Sequence, residues 1–204
     1  MIALQSQMNP HFLFNSLNSI NNYVIKNEKE AASEYISAFA KLVRLTLKNS
    51  ESPQISLFKE LKVLDVYVKL EKDRLVGGFT YEKNIDSKLN LHDIMVPPLF
   101  LQPFIENSIW HGLAGKKGEK CVKLDVFEVD NCILITIEDN GLGIDEQVIN
   151  RNRESSKKKF FGSFATEKRI KLMYNSDRVT VSTRNIASGS ETGTRVTINF
   201  PKES

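Results

Sequence analysis

The run Met8-Asn9-Pro10-His11-Phe12-Leu13-Phe14-Asn15 sets one imidazole in an otherwise apolar helical stretch. Pro10 suits a first helical turn, where a missing backbone N–H costs least, and Asn15 lies one turn after His11 on the same face. Read alone, His11 is either a core or capping histidine or a reactive imidazole. Asn107 sits in Gln102-Pro103-Phe104-Ile105-Glu106-Asn107-Ser108-Ile109-Trp110-His111, in mid-helix where propensity disfavours it, with His111 one turn later. Its carboxamide is either satisfied by backbone or free as an oxygen ligand for Mg²⁺. Asp139-Asn140-Gly141-Leu142-Gly143 leaves an apolar strand, and its glycines permit a sharp turn and close approach of backbone to a ligand. A carboxylate there can accept from an exocyclic amine, although a plain strand-end turn fits equally well. Gly193-Thr194, before the last strand, reads as a turn when taken by itself.

Positioning these groups requires helices and strands in a definite order. Leu13, Leu17, Ile20 and Val24 form one helical stripe, and Ile36, Phe39, Val43 and Leu47 a second, joined by the short link Asn27–Glu30. An antiparallel helical hairpin follows from this, and two helices alone cannot bury both stripes. The pattern therefore predicts a homodimer in which two hairpins make a four-helix bundle. A polar segment with Pro53 marks a boundary, giving a hairpin over 1–52 and a second domain over 53–204.

In that second domain Ser56 caps a helix lined by Leu57, Leu61, Leu64, Val68 and Leu75, which ends before Gly77-Gly78. Phe79–Ile85 alternates as a strand. A helix is expected from Leu99 to His111 with Gly112 as its C-terminal cap. Cys121–Glu128 and Cys132–Glu138 flank a hairpin turn signal at Val129-Asp130-Asn131. Residues 144–163, with Lys157-Lys158-Lys159, read as a mobile loop, and a helix over 165–174 follows. Two last strands carry Val179, Val181 and Thr183, then Val196, Ile198 and Phe200, joined by the Gly/Ser-rich segment 186–193. Strands that come in hairpins between helices predict an α+β fold, a mixed sheet with helices on one face.

The 204 residues are 41% hydrophobic, enough for a sizeable core. A net charge of +3 from 28 basic and 25 acidic residues, well mixed, gives no nucleic-acid footprint and no membrane surface. Cys121 and Cys132 lack metal-site spacing, which suits a reducing compartment. No run approaches the ~18 apolar residues of a membrane span. Ile2-Ala3-Leu4-Gln5 reads as helix interior without a start signal, so a piece of a longer protein is expected.

Together, in this order, the motifs resemble the LytS-like family of sensor histidine kinases over nearly the whole chain. The resemblance rests on Gln7–Asn15 (QMNPHFLFN, the family's phosphoacceptor box), on Leu57–Leu75 and on Pro97–Gly112 (PPLFLQPFIENSIWHG, its N box). Asp139–Gly143 and Gly193–Pro201 (GTRVTINFP) complete it. It implies a phosphoacceptor and dimerisation hairpin followed by an ATP-binding domain of the gyrase, chaperone and histidine-kinase type. On that basis His11 is the phosphoacceptor with Asn15 beside it, Asn107 coordinates the Mg²⁺ that bridges the ATP phosphates, and Asp139 accepts from the adenine amino group. Gly141 and Gly143 shape the purine pocket, and His111, Arg169, Gly193 and Thr194 complete the nucleotide site. Implied too are a response-regulator receiver domain as partner, and a cytoplasmic location as part of an inner-membrane sensor whose membrane region lies outside this chain.

Two positions depart from the family pattern. Trp110 stands where many relatives carry a basic residue, and one glycine, Gly162, occupies the normally glycine-rich lid before Glu167-Lys168-Arg169-Ile170-Lys171-Leu172. They motivate an alternative reading, a catalytically weak nucleotide-binding dimeric module. An ATPase of the gyrase kind ranks last, because Pro103 occupies the position of the carboxylate base that activates water.

Overall fold

The computed structural model describes residues 10–144, 168, 170–174, 179–188 and 191–202. Helices α1 (Pro10–Ile25) and α2 (Lys29–Ser50) form the expected antiparallel hairpin. Asn27, in a left-handed conformation (φ 58°), turns the chain between them. Asparagine tolerates that region better than most residues because its short polar side chain bonds locally.

The faces that the hairpin buries are offset from the expected stripes. Phe12 and Ser16 of α1 are buried, as are Ala32, Tyr35, Leu42, Thr46 and Asn49 of α2, whereas Leu17, Val24, Ile36 and Leu47 stay exposed. The reason is a third helix, α3 (Leu57–Arg74), which packs along the hairpin and covers one side of it. Each hairpin helix has two apolar sides, and periodicity cannot tell which of them an intramolecular neighbour will take. Phe12 meets Tyr67 of α3 at 5.2 Å between ring centroids, and the core runs continuously from Phe12 to Phe200.

Ser56 caps α3 as anticipated, its Oγ accepting from the Lys59 N–H at 3.4 Å. The cap lies in a two-residue strand, β1 (Ile55–Ser56), paired antiparallel with β3 (Met95–Val96). Glu60 of α3, 2% exposed, accepts from the backbone N–H groups of Leu99 (2.8 Å) and Leu101 (3.0 Å). A buried carboxylate is tolerable here because those donors replace its lost water. It also fixes the bend at Leu99 (φ 58°) that launches the next helix.

That helix departs from the expected span of 99–111. It consists of α4 (Gln102–Asn107) running without a break into a π-helical turn, Ser108–Leu113. Gly112 is therefore inside the helical segment and does not cap it.

The main sheet comprises β2 (Thr80–Ile85), β4 (Cys121–Val129), β5 (Cys132–Asp139), β6 (Thr180–Ser188) and β7 (Glu191–Pro201). Its order is β2-β4-β5-β7-β6, with β2 parallel to β4 and every other pair antiparallel. Asp130 (φ 51°) and Asn131 (φ 58°) make the two-residue turn between β4 and β5, the geometry whose twist matches a hairpin. Val122, Leu124, Val126, Ile133, Ile135, Ile137, Val196, Ile198 and Phe200 bury one face, and 102–113 lies across β4, β5 and β7. The fold is thus α+β, as expected. Segment 186–193, anticipated as a linker, is mostly strand in register with its partner, from Ile186 opposite Gly193 to Ser188 opposite Glu191. Most of the anticipated loop over 144–163 lies outside the described residues; residues 168 and 170–174 are helical, within the expected helix.

Candidate functional site

Three separate stretches of sequence converge on Asp139. It is the last residue of β5, lies opposite Thr194 of β7, and is 3% exposed. Its Oδ1 accepts from the Gly141 N–H at 3.0 Å, and the Ser108 hydroxyl and the Thr194 backbone also donate to the carboxylate. Burial raises its pKa above the usual aspartate value; those donors and Lys116 pull the other way without cancelling the shift. A carboxylate with fixed donors on one side keeps a defined lone pair for a ligand on the other.

Glycines make this arrangement possible by close approach. A Cβ on Gly112 would stand 2.7 Å from Asp139 Oδ1, one on Gly141 2.4 Å from the Gly112 carbonyl group, and one on Gly193 2.0 Å from the Asp139 carbonyl oxygen. No side chain fits at any of the three. Gly143 differs, since its φ of 74° is itself a conformation that favours glycine. The π-helical turn contributes directly: the Gly112 carbonyl accepts from Leu142 N–H at 3.1 Å, which ties the N box to the Asp139 turn. A π turn redirects carbonyls that an α-helix would keep for itself.

Further side chains hold this rim, and sequence reasoning did not single them out for it. Asn140 accepts from the Cys121 N–H (2.9 Å) and donates to the Glu119 carbonyl (3.2 Å), while Lys116 donates to the Asn140 carbonyl. Thr192 Oγ1 donates to the Gly141 carbonyl at 2.8 Å. Asn185 brackets Ile144, accepting from its N–H (2.7 Å) and donating to its carbonyl (2.8 Å). Polar residues in strands beside glycine turns were the available signal.

Asn107, half-buried, precedes the Ser108 that touches Asp139, and His111 is exposed on the same helical segment. Thr194 and Gly193 belong to this cluster; Arg169 lies outside the described residues. Among the described residues no group of three or more His, Cys, Asp or Glu side chains forms a metal cage. The Asn107 carboxamide oxygen is a donor of the kind Mg²⁺ takes.

His11 is exposed on α1, and Asn15 Nδ2 lies 3.0 Å from its Nδ1 and 3.2 Å from its Nε2, so the expected pair forms. Arg74 lies between α1 and the segment 102–113. The Arg74 guanidinium carbon is 5.7 Å from the Phe12 ring centroid and 4.9 Å from that of Trp110.

Two family models match the chain. Residues 1–78 match the Histidine kinase family, and residues 99–204 match the Histidine kinase-, DNA gyrase B-, and HSP90-like ATPase family. Sensor histidine kinase YpdA of Escherichia coli strain K12 is 35% identical over 175 residues, covering 84% of this chain and 30% of that protein. Sensor histidine kinase/phosphatase LytS of Staphylococcus aureus strain Mu50 is 34% identical over 155 residues, 76% of this chain and 26% of that one. The chain belongs to the LytS-like sensor histidine kinases. It spans less than a third of these relatives.

Solved histidine kinases share the fold. The histidine kinase domain of the Erythrobacter litoralis EL346 blue-light activated histidine kinase superposes with a TM-score of 0.52, at 16% identity, over 81% of this chain and 74% of that one. The catalytic domain of histidine kinase ThkA superposes at 0.51 and 12% identity, over 73% and 95% respectively. An ATPase domain of this family implies ATP binding.

Proposed function

We propose that the chain is the catalytic portion of a two-component sensor histidine kinase, which uses ATP and Mg²⁺ to phosphorylate His11 and passes the phosphoryl group to an aspartate of a response-regulator receiver domain. One observation carries the reading: an exposed imidazole on its own helix coexists in one chain with a glycine-lined, donor-braced carboxylate of the kind that reads adenine. The Asp139 carboxylate accepts from the adenine amino group and disfavours guanine, which presents a carbonyl at that position. Gly112, Gly141 and Gly193 let the backbone close on the purine. Asn107 would hold Mg²⁺, which would supply neutralisation of phosphate charge, the term that dominates phosphoryl transfer along with positioning.

His11 needs no strong base. A neutral imidazole presents an in-plane lone pair that can attack phosphorus directly, and Asn15 limits the orientations of the ring. The new N–P bond forms as the bond from the γ-phosphorus to its bridging oxygen breaks, with ADP leaving. Within this proposal residues 1–52 are the acceptor hairpin, which dimerises, and 53–204 the ATP-binding domain. The relatives' greater length supports a cytoplasmic piece of a longer membrane sensor; among the described residues no helix is long and apolar enough to cross a membrane.

Incubation with γ-labelled ATP, Mg²⁺ and a receiver domain tests the proposal. Label on the wild type that moves to the receiver, with none on His11→Ala or its receiver, is the expected result. Steady phosphate release with no protein labelled would overturn it.

A further inference from the structure

A buried ion pair within α3, Arg74 with Glu71, faces the N box through Trp110. Arg74 donates to Glu71 Oε1 at 2.7 Å, with side-chain exposures of 7% and 1%. Trp110 Nε1 donates to the other carboxylate oxygen at 3.1 Å. The same guanidinium lies over Trp110, adjacent to His111, and over Phe12, adjacent to His11. One side chain therefore touches both the helix that carries the acceptor and the segment that carries the nucleotide ligands. Buried ion pairs add little net stability compared with apolar packing and are better at fixing one arrangement among several. Guanidinium is suited to this, because its plane stacks on aromatic faces while its edge bonds a carboxylate.

We propose that Arg74 is a positioning residue for phosphoryl transfer: paired with Glu71 and stacked on Phe12 and Trp110, it locks the acceptor helix α1 against the N box so that His11 is held in line with bound ATP. This rests on the kinase reading above. It also gives Trp110 a task, as a platform for a cation from another helix. A loosened lock leaves the ATP site intact and lets α1 swing, so the loss falls on transfer and spares binding. Small misplacements of reacting groups cost large factors in rate.

The test uses Arg74→Ala and Arg74→Lys, each checked for wild-type circular dichroism and melting. Arg74→Ala should slow single-turnover labelling of His11 at least tenfold with the ATP Kd within twofold of wild type, and Arg74→Lys, which retains the charge but not the planar stack, should recover part of the rate. Labelling at the wild-type rate or faster, or a parallel loss of ATP affinity, would overturn the proposal. Trp110 is the sole tryptophan, so its emission reports the lock independently of activity. It should shift to the red in both Arg74→Ala and Phe12→Ala. If the wild type takes no label, the kinase reading fails on its own. The lock is then decided by emission, and an unshifted spectrum in either variant overturns it.

Discussion

Among the described residues burial pushes up the pKa of Asp139, Glu71 and Asp73, and the first two must be distinguished by what faces them. Asp139 has backbone and hydroxyl donors at the nucleotide rim, whereas Glu71 is raised to about 7 by burial, with Glu106 adding to the shift and Arg74, Tyr67 and Trp110 opposing it. A carboxyl whose folded pKa exceeds its unfolded value binds protons more tightly when folded, so its contribution is greatest below the unfolded pKa and is lost as pH rises through the folded one. For Glu71 that window runs from about 4.5 to about 7. Chemical denaturation between pH 5 and 8 should therefore show the wild type losing up to about 3 kcal/mol more than Glu71→Gln; parallel profiles would refute the assignment. Asp139→Asn should likewise flatten the fall in stability with rising pH. It should also weaken ATP about 10- to 100-fold, the worth of a hydrogen bond to a charged group, as measured by calorimetry. His11, Asn107 and Asp139 stood out as polar residues beside apolar runs, but spacing left each open, and the roles proposed for them came from the resemblance to the LytS-like family. Glu71, Glu60 and Arg74 did not stand out, since a charged residue within an amphipathic helix looks solvated until the fold shows what covers it.

At the scale of elements, the hairpin, α3 and the β4–β5 pair follow from period and turn chemistry, whereas the short β1–β3 pair and the strand pairing over 186–193 do not. Nor does the π-helical turn: Ser108–Leu113 has the same apolar spacing that an α-helix would have, and Gly112 looks like a cap. Only the approach of β5 explains it, because Gly112 must lie against Asp139 while its carbonyl serves Leu142. Gly141 is not in a left-handed conformation, so an alanine there meets a problem of space and not of backbone preference. With Gly112 atoms 2.4 Å from the new methyl, Gly141→Ala should destabilise by about 1–3 kcal/mol, the usual cost of overpacking, and abolish measurable nucleotide binding. Wild-type affinity in that variant would mean that the two segments do not need to touch.

For the whole molecule, the offset of the hairpin's faces has a consequence. Covering Phe12, Tyr35 and Leu42 with α3 leaves Leu17, Val24, Ile36 and Leu47 as an apolar surface along both helices. They are half of the residues whose period suggested a bundle of two hairpins; each helix has an inner side covered by α3 and an exposed outer side, which a second copy would cover under the dimer proposed above. Leu17→Glu should convert a micromolar dimer to monomer in sedimentation equilibrium with the ATP-binding domain still folded. A wild type that is monomeric, or a dimer indifferent to the substitution, would contradict the arrangement. Which side faced inward could not be read from the sequence, because it depends on where α3, the next helix in the chain, packs.

All three scales meet in a single claim, that the carboxylate rim and the imidazole on α1 act on the same phosphoryl group. The chemical stability of the product tests this most directly. After reaction with γ-labelled ATP and Mg²⁺, the wild type should hold label that is lost in acid and kept in base, the signature of a phosphorus–nitrogen bond. His11→Ala and Asn107→Ala should hold none. Label that survives acid, or persists after the loss of His11, would contradict the account.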